Sequence, residues 1–188
     1  MAKFGKCDFK MLKALQEKVE RLKGDDFNAF CESCAKELTA RLLRKVVKRT
    51  PVGDYSKEIE VVAKRDSKKH KKGETYTKRI NPSGKVGGTL RRGWTSKTEE
   101  EARGGGKPDV NGFVENLEII KKGDMYEVKI INPVHYASYV EFGHRTRNHE
   151  GWVKGKFMLT ISEQELQTQA PNIIEKKVKE YLEGCFND

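Results

Sequence analysis

The sequence predicts an α+β fold in which N-terminal and C-terminal helices pack on a small antiparallel sheet. A long, basic, extended arm is inserted before that sheet. Three observations support this prediction. Apolar residues recur at helical spacing near both ends of the chain, apolar and polar residues alternate around 125–132, and regular periodicity nearly vanishes between 56 and 112. We treat residues 1–188 as a single domain that includes the arm at about 56–112.

The N-terminal part predicts two helices. Asp8 is suited to cap the first, whose apolar residues follow the helical period until Gly24. The two aspartates that follow Gly24 are placed to cap the second helix, which again has apolar residues every three or four positions. This second helix should end near Thr50, because Pro51 disfavours the helical conformation in the residue before it.

The arm has a short possible strand at 59–63, a run of lysines, and two clusters of turn residues at 81–88 and 104–106. An insertion of this length in a compact domain is usually functional or disordered.

After the arm, residues 113–120 and 125–132 flank a turn that contains Gly123, as expected of an antiparallel hairpin. Trp94 is suited to open a third strand beside it. The C-terminal part predicts helices over 157–169 and 171–184, with Pro171 at the first position of the second one.

The composition indicates a core that is small for the chain. Hydrophobic residues make up 36% of the sequence, which is less than usual, and charged residues make up 35%, which is more than usual. Either part of the chain is disordered or the domain completes its burial against partner subunits.

The net charge of +10 is concentrated in one stretch, residues 63–92, which predicts a contact with DNA or with an acidic protein. Tyr76 is the one aromatic residue there, so we do not expect single-strand or sequence-specific readout. A non-sequence-specific DNA-binding protein that uses this segment is the alternative function. The basic residues are Lys64, Arg65, Lys68, Lys69, Lys71, Lys72, Lys78, Arg79, Lys85, Arg91 and Arg92.

The four cysteines predict no disulfide framework. The chain shows neither a secretory signal nor an apolar run long enough for a membrane span, so we expect a cytosolic protein with reduced thiols. Cys31 and Cys34 have the spacing of some metal and redox sites, but they fall within a predicted helix and no second pair follows. We favour ordinary helix cysteines, and we expect no metal and no cofactor.

No catalytic motif is recognisable, and we expect a protein without enzymatic activity. One cluster of acid, base or metal-ligand residues is conceivable around residues 135–150. Because His144 and His149 do not have one-face helical spacing, a hydrogen-bonded interface loop is the favoured interpretation. The residues of this cluster are His135, His144, His149, Glu141 and Glu150.

The most unusual stretch is residues 136–158, which we call the aromatic segment. Its first part can form two helical turns or a short strand, and Gly143 is a natural end for a helix. The loop from His144 to Lys156 carries histidines, arginines and Trp152, so its polar groups need water, one another or a neighbouring chain.

The aromatic segment, together with Thr50–Gly53 and Thr89–Trp94, resembles the tail-component or neck family of tailed phages, typified by gene product ten of an HK-type lambdoid phage. These landmarks occur in the family's order from about Leu38 to the C-terminus. The long basic stretch between the first two departs from the family pattern, where many members have only a few residues.

The resemblance implies a structural virion protein of a tailed phage, a prophage or a phage-tail-like particle, assembled in the bacterial host cytoplasm. It would form a ring, six copies being a guess, at the neck or head-proximal end of the tail, for head–tail joining or tail completion. Its partners would be adjacent tail-tube, terminator, sheath or head-connector proteins, and genomic DNA could pass through it. We expect the interfaces to involve Trp94, Tyr136, Tyr139, Glu141, Phe142, His144, Arg145, Arg147, Trp152 and Phe157. For Trp94, burial in the protein's own core is an equally good expectation.

Overall fold

A computed structural model describes residues 24–123 and 125–187, and it confirms the α+β class. The first predicted helix falls on residues outside this range, apart from Gly24. In chain order the elements are α1 Asp25–Arg49, β1 Lys57–Val62, β2 Thr75–Ile80, α2 Thr89–Gly93, α3 Glu99–Arg103, α4 Val110–Glu115, β3 Ile119–Lys122, β4 Met125–Val128, α5 Ala137–Phe142, β5 Gly143–Arg145, β6 Trp152–Lys154 and α6 Met158–Asn187.

Helix α1 forms the centre of the fold, because its Leu43 and Val46 are fully buried. Gly24 occupies its N-cap position without a capping side chain, so capping by the following aspartates was wrongly predicted. The predicted end at Thr50 is confirmed. The Thr50 backbone is extended, while its N–H and Oγ1 both donate to the Val46 carbonyl, at 2.9 and 2.7 Å.

The core extends from α1 to the three short helices α2, α3 and α4, which contribute Leu90, Ala102 and Val114. The third strand predicted at Trp94 is wrong. Helix α2 precedes this residue, and the spacing of four positions places Leu90 and Trp94 on the same face. The Trp94 side chain is only 4% exposed, and its Nε1 donates to Thr50 Oγ1 at 2.8 Å.

The strands pair as three separate antiparallel hairpins rather than as one sheet within the described residues. The predicted β3–β4 hairpin is confirmed, and the Tyr126 hydroxyl donates to Asn28 Oδ1 of α1 at 2.9 Å. Strand β3 is shorter than predicted because residues 110–115 form α4. Asp109 caps this helix by accepting a hydrogen bond from the Gly112 N–H at 3.0 Å.

Helix α6 runs without interruption through Pro171, so the prediction of two C-terminal helices was wrong. Proline inside a helix removes one hydrogen bond and costs about 3 kcal/mol. Contacts with α1 on both sides of Pro171 offset this cost. Glu165 accepts from Lys45 at 3.0 Å before it, and the Tyr181 ring stacks on Phe30 at 4.4 Å after it.

The predicted arm contains the β1–β2 hairpin, then the short helices α2 and α3 and the start of α4, all three of which pack into the core. Most side chains of β1 and β2 are exposed, and the register runs from Lys57 opposite Ile80 to Val62 opposite Thr75. In the described part of the chain, no helix is both long enough and apolar enough to cross a bilayer.

Candidate functional site

The aromatic segment folds into helix α5 and the β5–β6 hairpin and ends at Met158, the first residue of α6. The helical alternative for its first part is therefore confirmed, and Gly143 ends the helix as predicted. Gly143 adopts φ +91°, a conformation that disfavours any residue with a side chain.

Glu141 connects α5 to the start of α6. Its carboxylate accepts hydrogen bonds from the backbone N–H groups of Leu159 and Thr160, both at 3.0 Å, and from Thr160 Oγ1 at 2.8 Å. A carboxylate at this position satisfies N–H groups that lack partners in the first helical turn and interacts favourably with the helix dipole. Glu141 is 6% exposed, so it holds the scaffold together and lies inside the protein rather than on the predicted interface.

Two glycines allow the hairpin to pack closely on α5. A Cβ at Gly155 would overlap the backbone of residues 141–143, and one at Gly143 would overlap the Val153 carbonyl. The close approach lets the Lys156 N–H donate to the Val140 carbonyl at 2.8 Å. Backbone contacts therefore hold the hairpin against α5.

The loop that joins β5 to β6 is held by its own polar groups. The Thr146 N–H donates to the Gly151 carbonyl at 2.9 Å, while Thr146 Oγ1 accepts from the Gly151 N–H at 3.0 Å. Asn148 Nδ2 donates to Glu150 Oε2 at 2.6 Å, and His149 adopts φ +60°. These bonds give the hairpin a defined end.

Large apolar side chains remain exposed on this rigid element. Tyr139, Phe142, Trp152 and Val153 are 57%, 61%, 62% and 44% exposed. Such an accumulation on one short stretch of a folded chain is typical of a protein contact surface.

The exposed apolar residues of the hairpin point to its two opposite faces. Trp152 pairs with Arg145 and Val153 pairs with His144, and successive strand residues alternate between faces. The indole nitrogen of Trp152 fills the space that a Cβ at Gly143 would need. On the other face, the His144 ring meets Tyr139 edge to face at 6.0 Å. The hairpin therefore offers two different apolar patches.

The structure brings together most of the predicted interface residues. His144, Arg145 and Arg147 are exposed on the hairpin or its loop, and Tyr136 and Phe157 are half-buried beside it. Glu141 is buried instead, and for Trp94 the alternative expectation, burial in the core, is confirmed. Val153 was not predicted, because its exposure follows from the strand register, which no local sequence signal specifies.

The eleven predicted basic residues separate into nine on or near the β1–β2 hairpin and two in the body of the fold. Six of them lie on the loop that closes the β1–β2 hairpin, two lie on β2, and Lys85 lies in an exposed connection. Arg91 and Arg92 belong to the body of the fold. Arg91 donates to the Thr50 carbonyl, and the buried Arg92 donates to the Ala102 carbonyl at 2.7 Å. The loop group comprises Lys64, Arg65, Lys68, Lys69, Lys71 and Lys72.

The possible acid–base cluster is not assembled. Glu141 caps a helix, and the His135 ring lies 3.0 Å from Glu99 instead. Hydrogen bonds from the His135 backbone N–H and ring lower the pKa of Glu99. In the ranges that the structure describes, no three His, Cys, Asp or Glu side chains group to hold a metal ion.

Cys31 and Cys34 are free and half-buried in α1, as expected of ordinary helix cysteines. Burial is the main cause of a raised pKa for the Cys34 thiol, which disfavours the reactive thiolate.

Comparison with known proteins gave one family. Residues 13–143 match the family model described as "Bacteriophage HK97-gp10, putative tail-component". This range includes α1 to α5, the β1–β2 hairpin and the start of the aromatic segment. Neither a curated protein nor a solved structure matches the chain.

Proposed function

Because the chain belongs to the bacteriophage HK97-gp10 tail-component family, we propose that it is a structural protein of the virion, built into the tail and without enzymatic activity. It acts by contact with other tail proteins. Its position is the neck or the head-proximal end of the tail, where it joins head and tail or completes the tail.

The observation that carries the finer proposal is the pair of apolar patches on the two faces of the β5–β6 hairpin. A closed ring of more than two subunits needs two different surfaces on each copy, because every subunit contacts its neighbours head to tail. A protein that forms a symmetric dimer would need only one self-complementary patch. We therefore propose a ring, with six copies as the working number.

The hairpin supplies the aromatic anchors that such contacts need. Trp152 and Phe142 are exposed on a backbone that Glu141 and the two glycines fix in place. Rigid aromatic side chains contribute strongly to interfaces since little conformational entropy is lost when they bind. Adjacent tube, terminator, sheath or head-connector proteins are the partners beyond the ring.

The mass of the purified protein in solution tests this proposal. Light scattering after gel filtration would be performed at low and high salt, with and without tail tubes of the same phage. We expect the mass of a ring, or the mass of a monomer that assembles into a ring when tail tubes are added. A monomer that ignores tubes and binds DNA instead would favour the alternative, a free-standing DNA-binding protein.

Variants locate the contact. Trp152→Ala and Phe142→Ser should shift the mass towards the monomer while circular dichroism stays unchanged. Met125→Ala and Val86→Ala are matched controls, because both side chains are exposed apolar residues far from the hairpin in sequence. Equal mass shifts in all four variants would contradict an interface at the hairpin.

A further inference from the structure

The structure assigns a second contact site to the loop of residues 63–74 at the end of the β1–β2 hairpin, which we call the tip loop. We propose that the tip loop binds the phosphate backbone of duplex nucleic acid. This inference concerns a different surface from the aromatic segment and does not depend on a ring.

The tip loop holds cations that the rest of the molecule does not neutralise. None of its six Lys and Arg side chains lies within ion-pair distance of an acid of the described residues. Elsewhere, cations such as Lys45, Arg49 and Lys177 are paired with carboxylates of neighbouring elements. The tip loop is therefore a local concentration of available positive charge.

The two acidic side chains of the tip loop accept hydrogen bonds from its backbone N–H groups. Asp66 Oδ1 accepts from the Lys72 N–H at 2.7 Å, and Glu74 Oε2 accepts from the Lys71 N–H at 2.8 Å. The hydrogen bond from the Lys71 N–H is the main cause of a lowered pKa for Glu74. Both carboxylates thus hold the loop in shape while the lysine side chains extend into solvent.

Hydrogen bonds within the tip loop connect its two ends and its turn. The Ala63 N–H donates to the Glu74 carbonyl and the Gly73 N–H to the Ala63 carbonyl, at 2.9 and 2.8 Å. Ser67 Oγ accepts from the His70 N–H at 3.0 Å. A preformed loop loses less conformational entropy on binding than a disordered basic segment does.

Phosphate fits this surface better than an acidic protein does. Ala63 is the sole apolar residue of the tip loop, and it is buried. A protein interface normally has a core of apolar or aromatic side chains, whereas contacts to a nucleic-acid backbone need only charges and hydrogen-bond donors.

Duplex fits better than single-stranded nucleic acid. Proteins that hold single strands stack bases on exposed aromatic rings. Tyr76, the aromatic residue next to the loop, is already stacked on His70, with ring centres 4.1 Å apart and planes inclined by 10°.

Fluorescence anisotropy with a labelled duplex of random sequence, of about 25 base pairs, tests the inference across a salt series. The tip variant is Lys68→Gln, Lys69→Gln, Lys71→Gln and Lys72→Gln in the full-length chain. The control variant removes the same charge from the body through Lys48→Gln, Lys97→Gln, Lys107→Gln and Lys129→Gln, whose side chains are exposed and unpaired among the described residues. A single strand of equal length and a poly-glutamate peptide serve as competitors.

We expect the tip variant to lose at least tenfold in duplex affinity near 0.1 M salt. The slope of log affinity against log salt should fall by about 3 to 4, since each phosphate contact contributes about 0.9. The control variant should keep most of the slope. Equal slopes in the two variants, no duplex binding by the unaltered protein, or stronger competition by poly-glutamate or single strand would each overturn the inference.

Melting temperatures show whether the variants fold. Lys69, Lys71 and Lys72 make hydrogen bonds through their backbone groups alone, and none of the four lysine side chains makes one in the described structure. The tip variant should therefore have the same melting temperature as the unaltered protein. The mass measurement separates this inference from the proposed function. A tip variant that still assembles but does not bind duplex is the expected combination, and failure of assembly alone leaves the DNA result intact.

Discussion

Replacement of Glu141 tests how the aromatic segment is built. In Glu141→Ala, the N–H groups of Leu159 and Thr160 lose their acceptor in a part-buried setting. Each unsatisfied donor costs about 1 kcal/mol or more, and loss of the charge at the helix N-terminus costs up to about 1 kcal/mol. We therefore expect Glu141→Ala to lower the free energy of unfolding by about 3 kcal/mol.

Glu141→Gln is the conservative companion. Its amide keeps the size of the side chain and one acceptor oxygen, but loses the charge and the second acceptor. We expect a loss of about 1 to 1.5 kcal/mol. Glu118→Ala is the control, because that exposed glutamate has no hydrogen bond or ion pair in the described structure and should change stability by less than about 0.5 kcal/mol.

Urea unfolding at neutral pH, followed by circular dichroism and at a concentration where the protein is monomeric, measures these differences. With a slope of about 2 kcal/mol per molar, Glu141→Ala should shift the midpoint by about 1.5 M. If both Glu141 variants kept the urea midpoint of the unaltered protein but formed a smaller assembly in solution, the capping role would be refuted. Glu141 would then belong to the interface, as the sequence predicted.

Three further predictions concern the scaffold. Pro171→Ala should stabilise the protein, by up to about 3 kcal/mol, because alanine restores the hydrogen bond inside α6. A lowered melting temperature would contradict this reasoning. Trp94→Phe should lower the free energy of unfolding by about 2 kcal/mol, because the hydrogen bond to Thr50 is lost. The tryptophan fluorescence that remains comes from the exposed Trp152 and should be readily quenched by iodide. Fluorescence shielded from iodide in the monomer would contradict this exposure. Hydrogen bonds from Lys45 and Arg49 of α1 lower the pKa of Glu165. The ionised carboxylate therefore stabilises the fold at pH values above its pKa in the unfolded chain, about 4.3, and this contribution is lost as the pH falls through its pKa in the folded protein. Glu165→Gln should therefore melt below the unaltered protein at pH 7 and approach it below about pH 4; an equal difference at both pH values would exclude this ionisation as the cause.

Sequence reasoning was reliable where the signal is local. The end of α1 at Thr50 follows from Pro51, the β3–β4 hairpin from alternation around a glycine turn, and the end of α5 from Gly143. Each depends on the conformational limits of one or two residues. The same holds for the excess positive charge of residues 63–92, which can be counted directly.

It failed where tertiary packing outweighs local preference. Pro171 resembles a helix start, yet α6 continues through it because both halves contact α1. Arg92 looks like a surface residue in a basic segment, but α2 folds it into the core. Local propensity cannot reveal contacts between residues far apart in the sequence.

The sequence by itself determined the family landmarks, the α+β class and the composition of the aromatic segment. Tertiary structure alone decided which residues of that segment face outward, since Glu141 is turned inward to cap α6 while Trp152 and Val153 occupy opposite faces of one hairpin. It also decided which cations remain free, because an ion pair needs two side chains that only the folded chain brings together. The physical reason is common to both cases: exposure and pairing are properties of distances between elements, and a linear order of residues does not contain those distances.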